Sequence, residues 1–319
     1  VSQPLIHDCD PGNDDALGIL VAGGHPALNV LAVTTGTGHL EADRTARNAA
    51  IVASVAGLTA PIAAGAARPL VRERLVAGVL DFETGLDGER PELAAVALDP
   101  RSSAEIIIES ALKNPGLFIA CTGPLTNLAL ALRMKPAIIG AIGRIIALGG
   151  AWGLGNKTAA AEWNVLSDPE AASIVYNSGA PITMIPIDAA ASVGIDDALV
   201  AEVAAGGGAV CALAAELLGS LRGTHRPGAL GPADAPLNDP LALLIAAAPD
   251  LARTLPARVD IELAGAFSYG RTIVDFNCRS GRPANCEVVV AIDAKRARAI
   301  FVQSLIALSR SASKPKETS

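Results

Sequence analysis

Apolar and polar positions alternate along the chain in a repeating order: a short apolar run, a polar turn, then a stretch with helical spacing. Leu5-Ile6 is the first apolar run, and residues 16–22 continue beyond a polar turn as an amphipathic stretch. This predicts strand, tight turn, helix. Residues 28–34 predict a second strand, 40–57 a helix with Ala46, Ala49, Ala50, Val52 and Ala53 on its apolar side, and 61–64 a short strand. Ser102 or Ser103 is placed to cap a helix running to Lys113, and the strand 117–121 leads through a polar turn into the apolar run 128–132. Further strands are predicted at 145–148 and 181–187, and further helices from Asp168-Pro169-Glu170, over 196–220 with a break at Gly206-Gly207-Gly208, and at 241–248. Terminal strands at 259–263, 272–276 and 288–292 precede a closing helix at 294–309 and a polar tail at 311–319. No repeat or linker interrupts the pattern. The alternation predicts an α/β fold in one domain, a Rossmann-like open, mostly parallel sheet with flanking helices. Ligands in such sheets gather beyond the carboxyl ends of the strands.

Composition narrows the function. Hydrophobic residues make up 51% of the 319 positions and charged residues 18%, enough for a large core. Aromatics are only 3%, which argues against stacking platforms for single-stranded nucleic acid. A net charge of -7 without a strongly basic block argues against a nucleic-acid duplex. No apolar run is long enough to span a bilayer and no signal segment opens the sequence, so no membrane partner and a cytoplasmic location are expected. The five cysteines, Cys9, Cys121, Cys211, Cys278 and Cys286, lack CxxC spacing and are read as reduced core thiols.

The chemistry concentrates in His7-Asp8-Cys9-Asp10-Pro11-Gly12-Asn13-Asp14-Asp15-Ala16, where four carboxylates fall within eight positions. Such a cluster repels itself unless a positive charge neutralises it, and no Lys or Arg precedes Arg44. A hard divalent cation, calcium or magnesium, meets that need through oxygen ligands. The plain alternative is an N-cap with an acidic first turn, which needs one or two acids rather than four. Residues 65–100 carry Asp81, Glu83, Asp87 and Glu89 among glycines and read as either an active-site flap or a solvated loop. The glycines of Gly149-Gly150-Ala151-Trp152-Gly153-Leu154-Gly155 match neither a dinucleotide fingerprint nor a P-loop.

These polar turns, taken in order, resemble the inosine-uridine-preferring nucleoside hydrolase family. The likeness rests on Asp8-Cys9-Asp10-Pro11-Gly12-Asn13-Asp14-Asp15-Ala16, Ala32-Val33-Thr34-Thr35, Thr122-Gly123-Pro124-Leu125-Thr126-Asn127, Gly149-Gly150, Ala161-Glu162-Trp163-Asn164, Asp168-Pro169-Glu170-Ala171-Ala172, Asn238-Asp239-Pro240 and Val274-Asp275. It covers nearly the whole chain and implies that residues 1–310 are a catalytic domain that hydrolyses N-ribosides with one bound calcium, as a homodimer or homotetramer. By resemblance, Asp10, Asp15, the main-chain carbonyl of Thr126 and Asp239 hold the calcium. Asp8 stands beside this group or simply braces the turn. Asp14 matches the general base, which takes a proton from the attacking water as oxocarbenium character develops on the ribose. Asn156, Glu162 and Asn164 match ribose-hydroxyl contacts, and Trp163 replaces a phenylalanine between the last two.

Departures from the family bear on the base. His39 stands where an asparagine contacts ribose in most members, and Asp81 stands near the place of a flap histidine. Asn238 replaces a histidine linked to leaving-group protonation and cannot act as an acid, which leaves Asp81 or His225 as possible leaving-group contacts. Purines accept a ring proton more readily than uracil, so purine ribosides are expected to be favoured. The alternatives are a non-catalytic nucleoside- or ribose-binding protein on the same scaffold, or a hydrolase of an unusual modified riboside.

Overall fold

The computed structural model of this chain describes residues 2–75, 85–86 and 96–312. Its strands are β1 (Gln3–Cys9), β2 (Leu28–Thr35), β3 (Ile62–Ala64), β4 (Leu117–Cys121), β5 (Ile142–Leu148) and β6 (Ile182–Ile185), followed by β7 (Gly194–Ile195), β8 (Ala235–Pro236), β9 (Ala252–Ile261), β10 (Thr272–Asp275) and β11 (Cys286–Ile292). Nine of them form one sheet in the order β10-β9-β11-β6-β5-β4-β1-β2-β3. All neighbours from β3 to β11 run parallel, and β9 runs against both of its neighbours. The predicted single α/β domain with a mostly parallel sheet is what forms.

The central strands are apolar along most of their length because helices cover both faces. One face packs against the helices Asn13–Gly24, Ala42–Ala56, Gly208–Thr224, Pro240–Ala247 and Ala294–Ala312, through side chains such as Leu17, Leu20, Leu217, Leu243 and Leu305. The other packs against Ser103–Lys113, Thr126–Met134 and Pro169–Tyr176, through Ile107, Leu128 and Val175. With few aromatics, aliphatic side chains and alanines fill both layers; Tyr176 and Phe301 are the largest fully buried side chains. No helix among the described residues is long and apolar enough to cross a membrane.

Several elements differ from the sequence reading. The strand expected at 259–263 is the end of β9, which starts at Ala252, and β5 starts at Ile142. Glu162 starts a short helix, Trp163–Ser167, that the spacing did not reveal. The closing helix runs on to Ala312, and residues 313–319 lie outside the described residues. The turn-rich stretch after Gly223 ends in β8, which pairs with β7 and steers the chain toward Asn238.

The chain moves from β1 out to β2 and β3, then returns to β4 on the opposite side of β1. Strand order therefore reverses between β1 and β4, and their carboxyl ends part to leave the crevice where open α/β sheets bind ligands. The acidic turn follows β1 and the turn beginning at Thr122 follows β4.

Candidate active site

Asp14 and Asp15 sit on the first turn of the helix Asn13–Gly24, and Asp239 precedes the helix Pro240–Ala247. One carboxylate oxygen from each lies within 4.8 Å of those of the other two. Asp15 and Asp239 are buried, and Asp14 is half-buried. Burial pushes the pKa values of Asp15 and Asp239 well up from the usual carboxylate range, and neighbouring aspartates push the same way: chiefly Asp10 and Asp14 at Asp15, chiefly Asp14 and Asp15 at Asp239. A cluster with this much mutual repulsion in a dry site calls for a cation. The donors are hard carboxylate oxygens, which fit a divalent cation of the calcium or magnesium type.

Asp10 is buried beside the cluster, with its carboxylate turned toward the loop after β2. Oδ2 accepts from the His39 main-chain N–H at 2.9 Å and faces His39 Nδ1 at 3.2 Å. Glycines make this fit: a Cβ at Gly38 would stand 1.9 Å from Asp10 Oδ2, and one at Gly123 would stand 2.5 Å from Oδ1. Thr126 donates its hydroxyl to Asp168 at 2.7 Å, while Asp168 also caps the helix Pro169–Tyr176 through Ala171 N–H at 3.0 Å. Asp8 braces the turn: its Oδ1 accepts from Thr34 Oγ1 at 2.7 Å and Asn127 Nδ2 at 2.9 Å. Burial still pushes the Asp8 carboxyl up to about 6.

Above the acidic turn, the His39 ring stacks on Trp163 with centroids 4.3 Å apart and planes 14° from parallel. Lys157 Nζ lies 4.6 Å from the Trp163 centroid. Desolvation works against protonating His39, but the hydrogen bond and charge of Asp10, with Asp14 and Glu162 behind it, hold its pKa above the ordinary histidine value.

The residues matched to ribose contacts also organise the backbone. Glu162 caps its short helix through Asn164 N–H at 2.9 Å and Val165 N–H at 3.1 Å, and it takes Gly150 N–H at 2.8 Å. Asn164 Nδ2 donates to the carbonyls of Thr122 at 2.7 Å and Leu148 at 3.2 Å, tying together the ends of β4 and β5. Asn156 Oδ1 accepts from Trp163 N–H at 2.9 Å. Asn238 has a φ of 41°, a left-handed value that asparagine tolerates, and its carbonyl accepts from Leu241 N–H at 2.8 Å. This bend carries Asp239 into the cluster. His225 Nε2 lies 3.0 Å from the Pro232 carbonyl within its own loop. Asp81 lies outside the described residues.

Two contributors were not singled out from the sequence. Asp188 receives the N–H groups of Trp152 and Gly153, each at 3.0 Å, and so shapes the glycine-rich loop. Thr122 donates to Asp15 at 2.5 Å from the other side of the crevice. Spacing along the chain holds no signal for either, because both contacts exist only once distant elements have packed.

Residues 5–299 match the family model for inosine-uridine preferring nucleoside hydrolases, and the chain belongs to that family. It is a ribonucleoside hydrolase, an enzyme that breaks N-glycosidic bonds. It is similar to the pyrimidine-specific ribonucleoside hydrolase RihA of Shewanella sp. (strain MR-7), 38% identical over 309 residues and 96% of each chain. Identity to RihA of Citrobacter koseri, also pyrimidine-specific, is 37% over 92% of this chain and 95% of that one. Among solved structures, the purine-preferring ribonucleoside hydrolase from Gardnerella vaginalis superposes with a TM-score of 0.89 at 28% identity, over 97% of this chain and 100% of that one.

These likenesses correct the expectation that purine ribosides are favoured, since the relatives at 37–38% identity are pyrimidine-specific and the purine-preferring structure stands at 28%. The physical error was to treat ring protonation as the only way to help a base leave. A departing pyrimidine spreads its charge onto carbonyl oxygens, where hydrogen-bond donors stabilise it without transferring a proton.

Proposed function

We propose that this enzyme hydrolyses pyrimidine ribonucleosides, with calcium held by Asp10, Asp15, the main-chain carbonyl of Thr126 and Asp239, and with Asp14 as general base. The observation that carries the reading is the convergence of Asp14, Asp15 and Asp239 at the carboxyl end of the sheet. Among the described residues, the ion pair that these three and Asp10 make is that of His39 with Asp10. Calcium takes six to eight oxygen ligands, so water and ribose hydroxyls would complete a protein set of this size. Bound there, it supplies positive charge that orients the sugar hydroxyls and eases loss of a proton from water.

The chain's own residues account for the rest. Asp14, half-buried at the mouth of the cluster, takes the proton of the attacking water. The surrounding carboxylates favour the positive charge that grows on the ribose as the glycosidic bond breaks. Asn156, Glu162 and Asn164 contact the ribose hydroxyls. His39 and Trp163 form a flat wall beside the sugar, and Asn238 offers an amide donor to the leaving base. His225 remains a leaving-group contact to be tested beside Asn238. The homodimer or homotetramer implied by the family likeness belongs to the same proposal and is read by light scattering.

The deciding experiment compares kcat/KM for uridine, cytidine, inosine and adenosine by release of free ribose. Pyrimidine ribosides are expected to lead. A purine riboside ahead of both pyrimidines would overturn the substrate assignment.

A further inference from the structure

Beneath the acidic turn lies a histidine that the proposed reaction does not use. His7 sits on β1, is fully buried, and has its Nε2 2.9 Å from Thr122 Oγ1. Thr122 Oγ1 is in turn 2.5 Å from Asp15 Oδ1. A hydroxyl carries one proton, and with calcium on Asp15 that carboxylate is ionised and can only accept. The threonine proton therefore goes to Asp15, and the threonine oxygen must accept from the imidazole. This order makes the ring a neutral Nε2–H tautomer with a bare Nδ1. The other end of the ring agrees: Nδ1 is buried with no hydrogen-bond partner, tolerable for a weak acceptor and costly for an N–H. Burial also holds His7 far below the ordinary histidine range, at about 3, which keeps the ring neutral.

The elements around this chain of bonds leave it little freedom. Thr122 follows β4 and is pinned on both sides, its N–H donating to the Asp8 carbonyl at 2.9 Å and its carbonyl accepting from Asn164 Nδ2 at 2.7 Å. The hydroxyl rotor is what remains to be set. Gly18, one turn beyond Asp15, lets the imidazole fit, since a Cβ there would stand 3.0 Å from His7 Cε1. The ring thus sits between strand and helix with its donor aimed across the crevice.

We propose that His7 is a positioning residue which, by donating to Thr122, commits the threonine hydroxyl to Asp15 and so fixes the direction in which Asp15 presents its carboxylate to calcium. This rests on the calcium reading above. Outer partners that orient metal ligands typically change metal affinity by about 10–100-fold when removed.

The test uses the full chain, stripped with chelator and titrated with calcium by calorimetry, as wild type, H7L, H7Q, T122V, T122S and the double variant H7L/T122V. Circular dichroism checks each fold. H7L and T122V are expected to raise the calcium Kd by about 10–100-fold each. The double variant should be no worse than T122V, because both changes cut one chain of bonds. H7Q and T122S, which restore a donor and a hydroxyl, should recover most of the loss. If H7L does not fold, H7Q and the two Thr122 variants still decide. Nitrogen shifts of the labelled wild-type His7 ring should show Nε2–H. Calcium affinity in H7L within twofold of wild type, losses that multiply in the double variant, or an Nδ1–H ring would overturn the relay alone. A wild type that binds no calcium would overturn the calcium reading and the relay with it.

Discussion

Asp14 and Asp15 are adjacent in sequence, yet their surroundings differ. Asp15 is 2% exposed and receives the Thr122 hydroxyl at 2.5 Å, so its carboxylate is locked. Asp14 is half-buried, and its Oδ1 receives the Asp15 N–H at 3.3 Å. A base needs access to solvent-derived water, which half-buried Asp14 has and buried Asp15 lacks. Asp14→Asn keeps the shape and removes the proton acceptor. We expect kcat to fall by ~10²–10⁴-fold with the fold intact, the usual worth of general-base transfer. Steady-state kinetics with uridine, beside a calcium titration, check this; turnover near the wild-type rate would reassign the base. At this scale the sequence revealed the acids but not their orientation. It marked Asp10 for the metal set without showing that Asp10 Oδ2 also meets His39, a contact made only when the loop after β2 folds over the turn.

Elements were legible where a local rule sufficed. Ser102 and Ser103 were equal candidates for the cap of one helix, and packing separates them. Ser102 forms the capping box with Glu105, while Ser103 is buried and donates to the carbonyls of Thr35 at 3.1 Å and Ala63 at 3.0 Å. Ser102→Ala should therefore cost about 1 kcal/mol, as cap removals do. Ser103→Ala removes a buried hydroxyl shared by two strand carbonyls, which keep Asn127 Nδ2 and Thr35 Oγ1 as partners, and should cost about 0.5–1.5 kcal/mol, the net worth of one hydrogen bond. Urea unfolding of both variants checks the two values, and a Ser103→Ala loss near zero would show that the link to β2 and β3 contributes little. The helix Trp163–Ser167 escaped the sequence reading for a related reason. At five residues it is too short to show periodicity, and it exists because Glu162 caps it and also grips Gly150. Likewise, the alternation of strands and helices announced a parallel sheet, but nothing local told that β9 would run against it.

Across the molecule, net charge -7 hides a sharp local imbalance, because Asp8, Asp10, Asp14, Asp15 and Asp239 converge at one end of the sheet. Without a cation, burial pushes Asp8 up to about 6 and pushes Asp15 and Asp239 well up. Folded pKa values above the unfolded ones mean that the native state holds protons the unfolded chain releases. The stability these groups contribute is full below about pH 4, the unfolded aspartate value, and for Asp8 is lost as pH rises through about 6. Asp99 and Asp196, held down to about 2 chiefly by Arg101 and Arg298, act in the opposite sense below about pH 4, and buried His7, held down to about 3, acts in that sense up to its ordinary value of about 6.5. From about pH 6.5 to 8, where His7 is neutral in both states, the chelator-stripped enzyme should thus lose thermal stability as pH rises. Calcium competes with protons for the same oxygens and should reverse this. At a free concentration 100-fold above its Kd it adds about 2.7 kcal/mol. Because protons leave the site as pH rises, calcium affinity and the calcium-induced rise in Tm should both grow with pH. Calorimetric melts at several pH values, with chelator and with calcium, measure that rise directly; one that is absent, or that shrinks toward pH 8, would show that these carboxylates do not share a metal ion.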